Sequence, residues 1–241
     1  MKITVFNGSP RGEHGNTHRM VREFLAGAEE AGASTENHFL CQKKIHHCMG
    51  CFACWIKTPG HCVIKDDMAG LLEASQSSDV IVYASPIYVG SVTGIMKNFI
   101  DRCLPDADPH FQKNQYGVYC HVKRYEKYPD VVLISNCGFP EQSHFKYFRN
   151  IFTFLEENAG ANIIAEIFRG QGPMLEVEEP SLKPLIDAYN ALLRQAGREV
   201  VTGRRLSEET RAKLEEPFIP HDLYIEMGNK HWDQVLSKTG A

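Results

Sequence analysis

Apolar residues in this chain occur in short unbroken runs, and between the runs they recur at helical spacing. Residues 2–6 form a β-rich run, and from Asn16 the positions Met20, Val21, Phe24, Leu25 and Ala28 follow a helical period until Gly32. That predicts strand, loop, helix. A weaker strand is expected over residues 36–40, then a helix capped by Asp66 or Asp67 that runs past Leu71 and Leu72. Residues 79–84 (DVIVYA) are almost continuously apolar, the pattern of a strand buried on both faces, so this strand should be central.

Past the segment SPIYVG, Ile95, Met96, Phe99, Ile100 and Cys103 again keep a helical period, and VVLIS at 131–135 reads as the fourth strand. Phe145, Phe148, Phe152 and Leu155 mark a helix stopped near Gly160, residues 162–168 offer a fifth strand, and Leu182, Leu185, Ile186, Tyr189, Leu192 and Leu193 mark a last long helix. Strands alternating with helices predict an α/β fold, a five-stranded parallel sheet in the order 2-1-3-4-5 with helices on both faces.

Two stretches break the repeat. Residues 104–130 are too long for an ordinary helix-to-strand connection, so they are either functional or carry a hairpin of their own. Their HVKRY segment, with His121, Arg124 and Tyr125, is a candidate cover for a cofactor, weighed evenly against a surface excursion stacked on the core. Beyond Ser207, which reads as a helix cap, PFIPHDLYIEMGNKHW is too apolar and aromatic for a disordered tail. The chain therefore divides into a domain over 1–202, with a cysteine-rich loop at 46–65 and the insertion at 104–130, and an extension over 203–241. The extension is expected to pack on that core or on a neighbouring subunit, in a homodimer or homotetramer.

Composition narrows the partners. The 241 residues, 43% apolar, can bury a full core, and the net charge of -4 without any block of like charge offers no field for nucleic acid or an acidic membrane. The apolar run in MKITVFNGSP is far too short for a signal peptide, and no stretch approaches the ~20 apolar residues of a membrane span. A cytoplasmic protein is expected. In a reducing compartment its eight cysteines need not pair, and a clustered set points to metal or redox chemistry.

The cluster is HCMGCFACWIKTPGHCVIK, which holds Cys48, Cys51 and Cys54 at two-residue intervals and Cys62 after seven more residues. Four thiolates on a short loop can wrap an iron-sulfur cubane or hold a tetrahedral zinc, or they can stay bare and do thiol chemistry. Zinc sites usually draw on two separated pairs, a poorer match to this triple. Cys41, Cys103, Cys120 and Cys137 read as small buried hydrophobes, and His46, His47 and His61 as solvated neighbours.

A second motif, GSPRGEHGNT at residues 8–17, lies between the first strand and the first helix, where unpaired N–H groups and the helix dipole favour an anion. Gly8, Gly12 and Gly15 let the chain bend close, while Ser9, Asn16 and Thr17 can donate hydrogen bonds. Arg11 can add charge or remain at the rim. The loop has neither the Gly-Lys-Ser/Thr ending of a Walker A motif nor the Gly-x-Gly-x-x-Gly spacing of a dinucleotide fold, which disfavours nucleotide hydrolysis. In the predicted strand order the loop Ser85-Pro86-Ile87-Tyr88-Val89-Gly90 borders the same crevice, where Tyr88 can lie against a flat ring.

Taken together, GSPR-x-x-x-GNT and SPIY-x-G-x-x-TG-x-MK-x-F-x-DR resemble the flavodoxin-like NADPH-dependent FMN reductases. With Cys48, Cys51, Cys54 and Cys62 between them, the chain most resembles the iron-sulfur flavoprotein branch. The likeness covers about residues 1–102, and element order extends it to about residue 201. It implies a flavodoxin-like fold in which Ser9, Arg11, Asn16 and Thr17, with Gly15 in the same loop, hold the phosphate of FMN. Pro86, Ile87, Tyr88 and Gly90, with Ser85 opening their loop, would line the isoalloxazine. Asn136 and Gly138 would form the loop after the fourth strand, and the four cysteines would ligate a 4Fe-4S cluster.

The activity implied is an FMN-dependent oxidoreductase. Its donor would be NAD(P)H or reduced ferredoxin, and its acceptor a quinone, disulfide, nitro compound or another flavin. Such chemistry resides in the flavin, so no side chain is assigned as acid or base. A non-enzymatic carrier relaying electrons between proteins is the alternative, and a flavin-free redox or zinc sensor a third. Steady turnover of NAD(P)H with a small acceptor separates the first from the second.

Overall fold

The computed structural model describes residues 1–239. Its main sheet contains β1 (Lys2–Asn7), β2 (Ser34–Phe39), β3 (Val80–Pro86), β6 (Asp130–Asn136) and β7 (Ile163–Arg169) in the spatial order β2-β1-β3-β6-β7. All four pairings are parallel. With the hairpin strands β4 (Ala107–Lys113) and β5 (Tyr119–Lys123) set aside, this is the 2-1-3-4-5 order expected of the sequence. The central position of β3 explains its unbroken apolar run. Val80, Val82 and Ala84 face one core and Ile81 and Tyr83 the other, because successive side chains of a strand point to opposite faces.

The first core is covered by α1 (Asn16–Glu30) and α6 (Lys183–Gly203), the second by α3 (Met68–Gln76), α4 (Gly94–Asp101) and α5 (Lys146–Ala159). Between β2 and α3 the chain forms a short 3-10 turn and a single α-helical turn, α2 (Ala53–Ile56). Helices α1 and α6 meet backbone to backbone. A Cβ on Gly27 would fall 1.9 Å from the carbonyl oxygen of Arg194, and one on Gly197 would fall 2.0 Å from that of Phe24. Beside this contact the buried carboxylate of Glu23 accepts from Arg194 Nε at 2.8 Å.

Of the two acidic residues offered as the cap of α3, Asp66 is the one that caps, and Asp67, at the N-cap position, makes no side-chain cap bond. Asp66 Oδ1 accepts from Met68 N at 3.1 Å, while Asp67 Oδ2 accepts from Lys44 N at 2.7 Å and ties the cysteine loop to the helix start.

Residues 104–130 do carry their own hairpin, the antiparallel pair β4–β5, which is not hydrogen-bonded to the main sheet. Its HVKRY segment sits against the cysteine loop rather than the phosphate loop. The rings of His121 and Trp55 lie 4.9 Å apart, and Arg124 donates to the carbonyls of Pro105 at 2.9 Å and Ala107 at 3.0 Å.

The extension packs on its own chain through α7 (Glu208–Glu215), where Ser207 caps the helix by accepting from Thr210 N at 3.1 Å. Leu214 and Phe218 enter the first core. Two buried side chains hold them there. Arg169 donates to the carbonyls of Leu214 and Glu216 and lies over the rings of Tyr189 and Phe218, and Gln171 accepts from Phe218 N at 2.8 Å. The last helix, α8 (His221–Thr239), leaves Leu223, Met227 and Trp232 exposed. Among the described residues no helix is long and apolar enough to cross a membrane.

Of the four cysteines outside the cluster, Cys137 is buried and Cys103 and Cys120 are partly so. Cys41 departs from expectation: it is exposed, because the short 3-10 turn Leu40–Gln42 that ends β2 buries only Leu40.

Candidate flavin crevice and cysteine pocket

The strand-to-helix loops after β1, β3 and β6 meet at the carboxyl edge of the sheet. Two bonds draw the first two together: Gly8 N donates to Ala84 O at 2.8 Å, and Thr93 Oγ1 donates to Gly8 O at 2.7 Å. Gly8 must be glycine for this approach, since a Cβ there would lie 2.7 Å from Met96 Cβ. Thr93, which the sequence reading passed over, also caps α4 by accepting from Met96 N at 3.1 Å. The signal was the hydroxyl just before an apolar helical period.

In the first loop Ser9, Gly15, Asn16 and Thr17 are buried together. Ser9 N donates to Asn7 Oδ1 at 3.0 Å, and a Cβ on Gly15 would fall 2.5 Å from Ser9 Oγ. Gly15 precedes α1 without a side-chain cap, so the N–H groups of Asn16 and Thr17 have no partner among the described residues. Asn16 Oδ1 is buried and unpartnered too, and a half-turn of that amide offers a donor instead. Unsatisfied donors at the start of a fifteen-residue helix fit a phosphate. Arg11 is turned outward: it donates to His14 O at 2.9 Å and pairs with Glu176. It stands at the rim.

The other predicted residues frame the crevice in different ways. Ser85 is fully buried, and its hydroxyl accepts from Thr93 N at 3.1 Å, which makes it a brace for the loop. Pro86 and Ile87 are half-buried, with Ile87 N donating to Asn136 O at 2.9 Å. Tyr88 and Ser91 exchange backbone hydrogen bonds around a two-residue turn in which Val89 has φ 50° and Gly90 φ 77°. Gly90 suits that conformation, whereas Val89 is β-branched, fully exposed and strained. Asn136 reaches the first loop by donating to Thr17 Oγ1 at 2.8 Å. Gly138 lies farther out, its carbonyl accepting from Tyr224 Oη at 2.7 Å.

Helix α4 leads from this crevice to the cysteines. Gly50 (φ 60°) and Phe52 (φ 52°) curl the loop so that Cys48, Cys51, Cys54 and Cys62 line one pocket, together with Phe52 and Arg102. Burial pushes the Cys54 thiol up, and the neighbouring thiols of Cys62, Cys48 and Cys51 push it the same way. Among the described residues no group of three or more His, Cys, Asp or Glu side chains is close enough to hold a single metal ion. All four thiols border the same pocket, Cys48 and Cys51 on its exposed side and Cys54 buried. Such a sulfur donor set, backed by a cationic side chain, fits a multi-atom iron-sulfur group.

Arg102 is that cation. Its side chain is 1% exposed and meets the fully buried Asp66 at 2.7 Å. It also donates to His46 O at 2.6 Å and to Cys62 Sγ at 3.4 Å, so it joins the wall of the pocket to both ends of the cysteine loop. The sequence held the residue inside a quoted motif without showing its partner, which lies 36 positions away. His46, His47 and His61 are exposed and line no part of this pocket.

Comparisons with known proteins bear on the family and the fold. The family model described as NADPH-dependent FMN reductase matches residues 1–120. An iron-sulfur flavoprotein of Archaeoglobus fulgidus is 39% identical over 142 residues, 59% of this chain and 58% of that one. One of Methanocaldococcus jannaschii is 40% identical over 105 residues, 44% of this chain and 53% of that one. The chain thus spans little more than half the length of these relatives.

Among solved structures, an FMN-dependent NADH-azoreductase of Bacillus anthracis superposes with a TM-score of 0.60 at 13% identity, over 83% of this chain and 99% of that one. An NAD(P)H:quinone oxidoreductase of Methanothermobacter marburgensis gives 0.60 at 13%, over 86% and 99%. At that identity the likeness shows the fold alone, an α/β flavodoxin-like sheet flanked by helices. The family model and the sequence relatives place the matched part: residues 1–120 belong to the NADPH-dependent FMN reductase family, and the sequence relatives the chain resembles are iron-sulfur flavoproteins.

Proposed function

We propose that the protein is an FMN-dependent oxidoreductase that takes electrons from NAD(P)H or ferredoxin and delivers them to a quinone, flavin or other small acceptor. The observation that carries this reading is the set of unpartnered donors at the start of α1, beside a loop that exposes Tyr88. Ser9, Asn16, Thr17 and the first N–H groups of α1 would hold the phosphate, and Pro86, Ile87, Tyr88 and Gly90 would line the ring, with Asn136 bracing Thr17. When bound, FMN supplies hydride and single-electron chemistry. The chain's part is to bind, orient and shield it.

Cys48, Cys51, Cys54 and Cys62 would hold a 4Fe-4S cluster, with Arg102 countering the negative charge of the thiolates. A cluster is preferred to zinc because zinc sites usually draw on two separated pairs of ligands, a poor match to three cysteines at two-residue intervals. The exposed apolar residues of α8 favour a second copy of the chain there, which light scattering tests by mass.

An absorbance spectrum of protein purified without oxygen, with iron, sulfide and FMN quantified on one sample, tests the cofactors. Flavin bands with about four irons and four sulfides per chain are expected. Flavin without iron would leave the thiols bare, and a colourless protein that takes up no FMN would end the proposal. Steady NAD(P)H consumption with a small acceptor supports an enzyme. Its absence alongside fast exchange with ferredoxin would make the protein an electron carrier.

A further inference from the structure

A second cavity, of about 480 Å³, opens beneath the β4–β5 hairpin, and no residue assigned to the flavin or the cysteines lines it. Its floor is the sheet face bearing Ile81, Tyr83 and Val131, and its sides are the C-terminal parts of α4 and α5. Strand β5 closes it. The volume falls in the range of small-molecule sites, roughly 300 to 1,000 Å³.

The lining is aliphatic apart from rings and a few convergent polar groups. Tyr83, Phe152, His121, Tyr119 and Tyr128 supply aromatic surface. The Tyr83 side chain is more than nine-tenths buried and its hydroxyl has no hydrogen-bond partner among the described residues. His121 Nδ1 is likewise buried and unpartnered. By contrast, Tyr128 Oη is engaged by Asp106 O at 2.5 Å, and Asp106 Oδ1 accepts from Gln76 Nε2 at 2.8 Å. Burial raises the Asp106 carboxyl and pushes the Tyr83 hydroxyl and Cys103 thiol well above their ordinary values. Each of these groups is thereby held toward its uncharged form, while the charged side chains of the lining are already engaged: Lys123 donates to Gly160 O at 3.0 Å and lies over the Tyr128 ring, and Asp101 pairs with Lys97.

We propose that this cavity is a binding site for a flat, uncharged ring compound bearing a hydroxyl or carbonyl oxygen, with the Tyr83 hydroxyl as its hydrogen-bond partner. Asp101 and Leu104 belong to the walls of both this cavity and the cysteine pocket, so the ligand sits one side chain away from the thiols and apart from the phosphate loop. The inference rests on the cavity alone and stands whether or not the flavin assignment does.

The test is calorimetric titration of FMN-saturated protein with 2-naphthol, repeated with FMN-free protein and with naphthalene. One 2-naphthol per chain is expected in both forms, and naphthalene should bind on the order of 3- to 10-fold more weakly, the worth of one neutral hydrogen bond. Tyr83→Phe should remove that difference. Ala161→Trp or Val122→Trp, each filling the cavity, should abolish binding while circular dichroism stays native. Absence of saturable binding to the wild type overturns the site. So does binding that FMN displaces, or binding that survives in a folded variant with the cavity filled.

Discussion

Asn136 Nδ2 donates to Thr17 Oγ1 at 2.8 Å, joining the end of β6 to the first turn of α1. The bond holds the Thr17 hydroxyl beside the unpartnered N–H groups of the helix start, in the place where an anion would sit. Both residues are buried, so the pair is fixed before any ligand arrives.

Replacing Ser9 and Thr17 together by Ala should therefore weaken FMN binding. Each hydrogen bond to a charged phosphate is worth roughly 1.5–3 kcal/mol, so the dissociation constant should rise tenfold or more. Thr17→Ser, which keeps the hydroxyl, should stay close to the wild type. Flavin fluorescence titration reads both, and an unchanged affinity in the double variant would remove the phosphate assignment.

Asp66→Asn should destabilise the fold by about 3–5 kcal/mol, because it leaves the buried Arg102 guanidinium without its counter-charge. Burial alone would raise the Asp66 carboxyl, but Arg102 and the amides of His46 and Met68 outweigh it and hold the group below its ordinary 3.8. A folded value below the unfolded one gives stability that is complete above about pH 3.8 and lost as the pH falls through the folded value. Thermal melts taken at falling pH should show a shallower acid loss in Asp66→Asn than in the wild type. Parallel curves would contradict the coupling.

In reduced, metal-free protein the thiols should alkylate in an order set by exposure and ionisation. Cys41, Cys48 and Cys51 are exposed and should react with iodoacetamide first. Cys54 is buried and raised, and burial pushes Cys137 up to about 11, so both should lag. Mass spectrometry of a time course gives the order, and early labelling of Cys54 would mean that the loop opens in solution.

Gly197→Ala should cost stability through overpacking, by about 1–3 kcal/mol or more, since its methyl would land on the backbone of α1. Gly203→Ala, whose methyl meets nothing within 4 Å, is the control and should melt near the wild type. Equal melting temperatures for the two would show that the helices can part without penalty.

Most of the sheet was legible because parallel strands buried on both faces write themselves as unbroken apolar runs, as β3 and β6 do. The edge strand β2 was weaker: only half covered, it reads STENHF, and the expected span began two residues late. The turn from β1 into α1 was legible by its glycines and hydroxyls. Long-range polar pairing was not, because nothing local in Asp66 or Arg102 announces the other, nor in Asn136 its bond to Thr17. The HVKRY segment could be recognised as an excursion, but its place over Trp55 depends on how the whole hairpin folds back. Cys41 was misjudged because composition says how often a cysteine is buried, whereas a short turn decides which way one side chain faces.

Helix α4 is a ruler. It begins at Thr93, bonded to the phosphate loop, and ends at Arg102, bonded to Cys62, and its eight residues advance about 12 Å. Inserting one residue would turn Arg102 by about 100° about the axis and carry it away from Asp66 and the thiols. The spacing between the crevice and the cysteine pocket is thus set by the length of one short, rigid element.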